Sequence, residues 1–313
     1  MSSTRTPAII EENGRLVIDH LSYSGLRVFL QCYYKWFCIY VLKITRPPKW
    51  LLPVGGAGHK GLEQNNNAFI TNGEYMSSHD LKEYTAEAFD EQMSVNEEVI
   101  WDDKKPGEAK DQLIKQVSSY RKREADAVVP LSAEQKWELT FVNVPWKLTG
   151  YIDVVAQDTP SGMREGAQGG EGLIDYKFTN RSMDTNTVEN LAMGRDPDPQ
   201  PLLYAYARHA QGKNVTKFSY HNLVRTKEPK AQLVDVRLAP EMLEAVPNWV
   251  SSIASVAQGL LDSINGEPSV VNRGLFYANP KLYPADRKFH CGDGCEYKDL
   301  CPLYGGNGMK AVF

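Results

Sequence analysis

The chain has 313 residues, 42% hydrophobic and 24% charged, with 35 basic against 39 acidic side chains and a formal charge of −4. That balance excludes collagenous, low-complexity and disordered chains and leaves room for one large domain or two small ones. No apolar run approaches the roughly 18 residues of a bilayer crossing, and MSSTRTPAIIEENGRL holds no secretory apolar stretch, so the expected setting is cytoplasmic and without membrane contact, where five cysteines need a reason other than disulfides. The net charge is silent about nucleic acid, because it does not describe how charge is laid over the surface.

Leu21 to Leu42 carries Val28, Phe29, Trp36, Phe37 and Tyr40 at helical spacing behind the capping candidates Ser22 and Ser24, which predicts one helix. Pro47 and Pro48 mark its exit, and Gly55, Gly56 and Gly58 read as a turn into a second helix near His59. Tyr75 to Ala127 is polar and rich in helix formers, with helices expected over Leu81–Met93 and Lys110–Ala125. Lys136–Val144 and Trp146–Gln157 alternate as two strands of a hairpin, and the glycine-rich Asp158–Gly172 reads as a loop. Gly172–Phe178 is a third strand, followed by a polar run, Thr179–Asp198, and a helix over Pro199–Gln211. Strands Val215–Arg225 and Gln232–Leu238 and the amphipathic helix Pro240–Ile264 complete the regular elements, and the tail beyond Pro268 is irregular. No internal repeat is present, so the class is a mixed α/β body with a helical insert and a cysteine-bearing tail.

Chemistry concentrates in the strands. Asp153 lies between apolar neighbours, and Asp175 and Lys177, two apart, share one strand face while Ile174, Tyr176 and Phe178 take the other. Buried ions without partners are costly, so these three require mutual pairing, as in a structural ion pair, or a metal. His59 and Glu63 are at i and i+4 on one helix, and Gln200 and Tyr204 share the same spacing on another. Cys291, Cys295 and Cys301 form C-x3-C-x5-C, with Cys32 far upstream in LQCYYKW. Clustered cysteines in a reducing compartment indicate metal, with zinc as the generic reading, and Cys38 is left as a buried thiol.

In this chain order GAGHKGLE, GYIDVV, IDYKFT and QPLLY resemble the GxxHxxxE helix, GxxD strand, DxK strand and QxxxY helix of RecB-like PD-(D/E)XK nucleases, with Asp175 as the second acid where Glu also occurs. The resemblance implies a restriction-endonuclease-like core with a mixed central sheet flanked by helices. It assigns Asp153, Asp175, His59 and, in a lesser role, Glu63 to Mg²⁺ or Mn²⁺. Lys177 would orient the attacking water or stabilise charge, and Gln200 and Tyr204 would position the hairpin or contact the DNA backbone. The run LSYSGLRVFLQCYYKWF and the Cys301-Pro302 pair resemble AddB-type and CRISPR-associated RecB-like nucleases, phage homologues included, in which four cysteines hold a [4Fe-4S] cluster. Cys32, Cys291, Cys295 and Cys301 would be the ligands here, with Tyr33 standing where the family usually has Pro. The expected organisation is one nuclease domain over residues 1–313, with an iron-sulfur region at 21–45 and 268–313, a helical insert at 64–135 and a catalytic core at 136–265.

The function implied is a metal-dependent exonuclease acting on single-stranded DNA or DNA ends, in the cytoplasm, or in the host cytoplasm if phage-encoded. The alternatives are a non-cleaving DNA-binding or recombination accessory protein, or a redox or zinc module. Tyr33, Lys35, Arg208 and Arg225 are candidate DNA contacts, from basic clusters at Lys35–Lys49, Arg121–Arg123 and Arg208–Lys230. No GxxxxGK[ST] is present, so a helicase or recombination partner would be a separate chain.

Overall fold

The computed structural model describes residues 9–96, 98–102, 104–158, 169–183, 199–236, 238–266 and 295–301. Strands β1 (Ile9–Glu12) and β2 (Arg15–Ile18) form an antiparallel hairpin turned at Asn13 and Gly14, both at positive φ. Strand β3 (His20–Ser22) then enters α1 (Tyr23–Gln31), capped by Ser22 Oγ accepting from Gly25 N. The single helix expected over Leu21–Leu42 is broken at Cys32, which is extended (φ −163°, ψ 113°), and the chain resumes as α2 (Tyr33–Trp36) and a π-helical turn, Phe37–Val41. The spacing reads through the break because both sides feed one core: the Phe29 and Trp36 rings meet edge to face at 5.2 Å.

Helix α3 (Leu51–Asn72) includes the glycines that read as a turn. Each helical glycine costs about 1 kcal/mol relative to alanine, but two of them sit where no side chain fits. A Cβ on Gly58 would lie 2.3 Å from the Phe178 ring, and one on Gly61 would lie 2.5 Å from Thr85 Oγ1. Close packing thus overrides local propensity and brings α3, with His59, against the sheet. Helices α4 (Ser78–Val95) and α5 (Pro106–Arg123) follow, the first capped by Ser77 and the second opened by a proline at its first position.

The remaining elements are β4 (Pro130–Leu139), β5 (Lys147–Asp158), β6 (Gly170–Thr179), α6 (Gln200–Ala210), β7 (Val215–Val224), β8 (Lys230–Val236) and α7 (Pro240–Gly266). Strand β4 starts at Pro130 rather than Lys136 and ends at Leu139, because the chain turns at Phe141, whose carbonyl accepts from Val144 N. Among the described residues the large sheet has six strands in the order β3-β5-β6-β7-β8, with β4 on the other edge of β5. One face packs on α3, α4 and α5 through Val154, Ile174, Tyr176 and Leu223. The other packs on α1, α6 and α7 through Val155, Leu173, Phe218 and Tyr220. The α/β class with a mixed sheet between helical layers is as expected.

The sheet forks at β5. Its first residues pair with β3, parallel, at Lys147–Thr149, while β6 pairs with the same edge, antiparallel, only from Val154 onward. Asp153 lies in the gap, and its carboxylate Oδ2 accepts from Tyr176 N at 2.7 Å in place of a ladder bond. The fork therefore frees an acid to face the cleft between the strands.

His221 on β7 is buried, with Nδ1 2.7 Å from Tyr120 Oη. Burial disfavours its charged form and the Lys217 charge adds to this, so its pKa falls to about 4 against the Asp235 charge. The unfolded chain therefore binds the extra proton, so the contribution of His221 to stability is present above pH 6.5 and lost as pH falls toward 4. Urea unfolding at pH 7 and pH 4.5 should show the advantage of wild type over His221→Gln shrinking by about 2–3 kcal/mol; parallel pH dependences would refute this.

The tail segment Cys295–Cys301 lies on the first helices. Tyr34 Oη donates to Leu300 O (2.7 Å), Tyr297 Oη donates to Ile44 O (3.1 Å), and Arg46 Nη2 reaches both oxygens of Asp299 (2.9 and 2.7 Å). The domain ranges expected from sequence cut across elements: 64–135 contains the end of α3, all of α4 and α5, and the start of β4. No helix among the described residues is long and apolar enough to cross a membrane.

Candidate active site

The pairing of β5 with β6, Val154 against Ile174, places Asp153 opposite Asp175 across the fork. Asp175 is buried, and its neighbour on the same face, Lys177, brings Nζ within 2.5 Å of Oδ2. The ammonium is thus the partner of this buried oxygen. Gln200, the first residue of α6, organises this pair. Its Nε2 donates to Asp175 Oδ1 and, at 2.9 Å, to Tyr204 Oη, while its Oε1 accepts from Lys177 Nζ at 3.0 Å. The helical spacing of Gln200 and Tyr204 thus stacks a hydroxyl behind the amide, and Tyr204 is fixed edge-on to Trp137 and Tyr23 (5.7 and 5.8 Å). Together Gln200 and Tyr204 fix the amide orientation that couples acid to lysine.

From the opposite layer, α3 delivers His59, whose Nδ1 lies 3.1 Å from Asp153 Oδ2. Its ring is lodged against Tyr176 and Phe178, at centroid distances of 6.4 and 5.5 Å. Burial works against an imidazolium here, but the facing Asp153 carboxylate prevails and lifts the pKa to about 9. Burial also works against charge on Asp153, yet His59, Lys177 and the Tyr176 amide hold its carboxyl below the usual range. Asp175 goes the other way: burial raises it, and the Asp153 charge adds to the rise against the pull of Lys177. Two carboxylates in one enclosure thus have pKa values pushed apart, an arrangement concentrated at functional sites. Glu63 is partly buried near this group, with a pKa raised by burial, Lys60 opposing and the Asp153 charge adding to the rise.

Sequence reasoning missed Glu134. Ala133 pairs with Val154 and Gln135 with Ile152, so Glu134 lies across from Asp153, with φ +47° in the left-handed region. His59, Glu134 and Asp153 offer one nitrogen and two carboxylate ligand atoms within 4.8 Å of one another. Such a donor set suits a hard divalent cation. A strained backbone at a non-glycine residue beside such a group fits the clustering of strain at functional sites. The signal was available: continuing the alternation of β4 backward from Trp137 across the hairpin brings Glu134 opposite Asp153. The starting point at Lys136 hid it.

The remaining assignments are spread over the molecule. Tyr33 packs on Phe29 at 4.4 Å, and Lys35 pairs with Glu296 at 3.5 Å. Arg208 is engaged by Glu171 through two 2.7 Å hydrogen bonds, tying α6 to the start of β6, so its charge is met inside the protein. Arg225 lies over Trp50, 4.1 Å from the ring centroid, with burial lowering its pKa to about 10. Cys32, Cys295 and Cys301 join one packed cluster with the first helices, and Cys291 lies outside the described residues.

Replacing Gln200 by Leu keeps the volume but removes the amide linking Asp175 to Lys177. Hydrolysis by this variant should fall by about 10–100-fold, the usual cost of losing a group that orients a metal ligand. The loss should fall on kcat rather than KM, and an unchanged kcat would remove Gln200 from the positioning role.

A comparison with curated proteins gives no match. Among solved structures, a protein from Eubacterium rectale provisionally described as an exonuclease is similar at 10% identity, covering 80% of this chain and 83% of that one, with a TM-score of 0.48. The family model for the PD-(D/E)XK nuclease superfamily matches residues 20–302, a span that contains the forked strands, both acids, the lysine and the helices that position them. The chain belongs to the PD-(D/E)XK nuclease superfamily.

Proposed function

We propose that the chain is a metal-dependent deoxyribonuclease that removes nucleotides from single strands or DNA ends. The observation that carries the reading is the Gln200 amide holding Asp175 and Lys177 together beside the His59, Glu134 and Asp153 group. A structural ion pair would need no such bridge and no neighbouring cluster of ligands. His59, Glu134, Asp153 and Asp175 are the residues that would hold Mg²⁺ or Mn²⁺, and the nitrogen and carboxylate donors among them fit a hard divalent cation. These residues would thereby place a divalent ion that would lower the pKa of a bound water and offset the negative charge growing on the phosphate oxygens. Lys177 then has two tasks within reach of its Nζ: orienting the attacking water and stabilising a non-bridging phosphate oxygen. To bind a metal through the nitrogen that faces Asp153, His59 would have to give up the proton of that pair. The preference for ends rests on the RecB-like resemblance.

The same reading gives Cys32, Cys291, Cys295 and Cys301 a [4Fe-4S] cluster. Two features support it. Cys32 occupies the N-cap of α2 with Sγ accepting from Lys35 N at 3.4 Å, and it packs in one cluster with Cys295 and Cys301. The segment carrying Cys295 and Cys301 is bound to the same helices by Tyr34, Arg46 and Tyr297. Cys38 is fully buried, and burial pushes its thiol up to about 12, which suits the bystander role.

Digestion of end-labelled single-stranded DNA, end-labelled duplex and a closed circle, with Mg²⁺ or Mn²⁺, tests the function. Short labelled products from linear DNA with the circle intact are expected. Cleavage of the circle at a similar rate would make the chain an endonuclease, and no hydrolysis with either metal would favour the non-cleaving accessory protein.

A further inference from the structure

A second basic surface lies away from the acids. A cleft of about 1180 Å³ opens between the α3–α4 connection, the C-terminal half of α5 and the β7–β8 turn, lined by Lys82, Lys115, Arg121, Lys122 and Lys227 among others. That volume exceeds the roughly 300–1,000 Å³ of a small-molecule pocket and suits an extended chain. Lys115, Ser118, Ser119 and Lys122 fall at i, i+3, i+4 and i+7, one face of α5, so two ammonium groups flank two serines, of which Ser119 donates to Pro229 O.

Six cations, Arg123 included, line the cleft against three carboxylates, Asp111, Asp126 and Glu228, so its wall carries excess positive charge. Arg121 pairs with Asp126 at 2.6 Å and lies over the Tyr75 ring at 4.7 Å, but its Nε is buried without a hydrogen-bond partner, as is Ser118 Oγ. Lys82, Lys115, Lys122 and Lys227 make no ion pair among the described residues, whereas Lys35, Lys60, Lys110, Lys147 and Lys217 each have an acidic partner. The rim is linked by covalent and hydrogen bonds to the candidate active site. Two residues past Lys177, Thr179 accepts from Arg225 N, and the turn beyond Arg225 supplies Lys227 to the cleft. Arg225 also has three buried guanidinium nitrogens with no hydrogen-bond partner.

We propose that this cleft is a non-catalytic phosphate-binding surface that holds the backbone of a single nucleic-acid strand beyond the β7–β8 turn from the hydrolytic acids. The proposal rests on the nuclease reading above and specifies how the strand is held. Lysines that make no ion pair hold a counterion atmosphere, which is released when phosphates replace it.

Anisotropy measurements on chains silenced by Asp175→Asn, with fluorescein-labelled oligothymidylates of about 6 and about 20 nucleotides, bracket the site sizes of such strand-binding surfaces. Adding Lys115→Ala and Lys122→Ala should weaken the longer oligomer roughly tenfold at physiological salt and flatten its log–log salt slope by about 1.4. The shorter oligomer should change by less than about twofold. Both lysines are exposed, so the fold is retained. An unchanged slope for the longer oligomer, or an equal loss for both lengths, overturns the proposal. Cleft-dependent binding by a parent chain that hydrolyses nothing would sink the nuclease reading alone, and hydrolysis with cleft-independent binding would sink the cleft alone.

Discussion

Asp175→Asn and Lys177→Ala should each lower phosphodiester hydrolysis by about 10³-fold or more, while the fold survives in both. The two effects separate because of where the charges sit. Asp175 is buried and its carboxyl is raised by burial, so folding carries a cost for holding it ionised. Asn keeps the shape, relieves that cost and can still meet the Gln200 amide through its side-chain oxygen. Thermal unfolding of metal-free Asp175→Asn should therefore occur at or above the wild-type temperature, even as activity disappears. Lys177→Ala removes the cation 2.5 Å from Asp175 Oδ2 and leaves Gln200 Oε1 without its donor, so a modest loss of stability accompanies the lost activity. Activity within tenfold of wild type in both variants would make Asp175 and Lys177 a structural ion pair. Loss of activity together with loss of fold in Asp175→Asn would show that the charge holds the strands.

Cys32→Ser should bleach the anaerobically purified protein and lower its stability by about 3–5 kcal/mol. A cross-link from Cys32 to the tail closes a loop of most of the chain, and in the loop-entropy model long closures restrict the unfolded state most. The contacts of Tyr34, Arg46 and Tyr297 with Cys295–Cys301 show that these two ends already form one packed unit. Surface pairs such as Arg46 with Asp299 contribute little alone, so the thiolate-bound cluster would carry most of the attachment. Cys295→Ala should behave as Cys32→Ser does, and Cys38→Ala should stay coloured. A colourless wild type containing zinc would replace iron-sulfur with zinc in the same four positions, and a brown, equally stable Cys295→Ala would remove that residue from the ligand set.

The hairpin acids, the lysine and the two helical pairs were legible because each is a local pattern: alternation puts Asp175 and Lys177 on one face, and i, i+4 spacing puts Tyr204 behind Gln200. Where local pattern and packing disagree, the sequence misled. The glycines before His59 read as a turn because glycine disfavours helix, yet Gly58 is helical because the Phe178 ring occupies the space of its missing side chain. Cys32 read as the middle of a helix because apolar spacing continues across it, and the extended backbone there has no signature in that spacing. Arg208 read as a surface cation, although Glu171, 37 residues away in sequence, meets its charge.

By itself, the sequence determined the α/β class, because that follows from period and propensity, and the chain order of the motifs, whose link to phosphodiester chemistry came from the resemblance. Only the tertiary structure decided which groups meet. The fork of β5 between β3 and β6 frees Asp153, the close approach of α3 brings His59 to 3.1 Å from it, and the hairpin register sets Glu134 across from it. The same holds for the cleft on α5, whose lysines are ordinary in sequence. They line one cleft only because α5, the α3–α4 connection and the β7–β8 turn face one another, with cations outnumbering the carboxylates Asp111, Asp126 and Glu228. Distances between residues far apart in the chain depend on packing, and no local pattern encodes them.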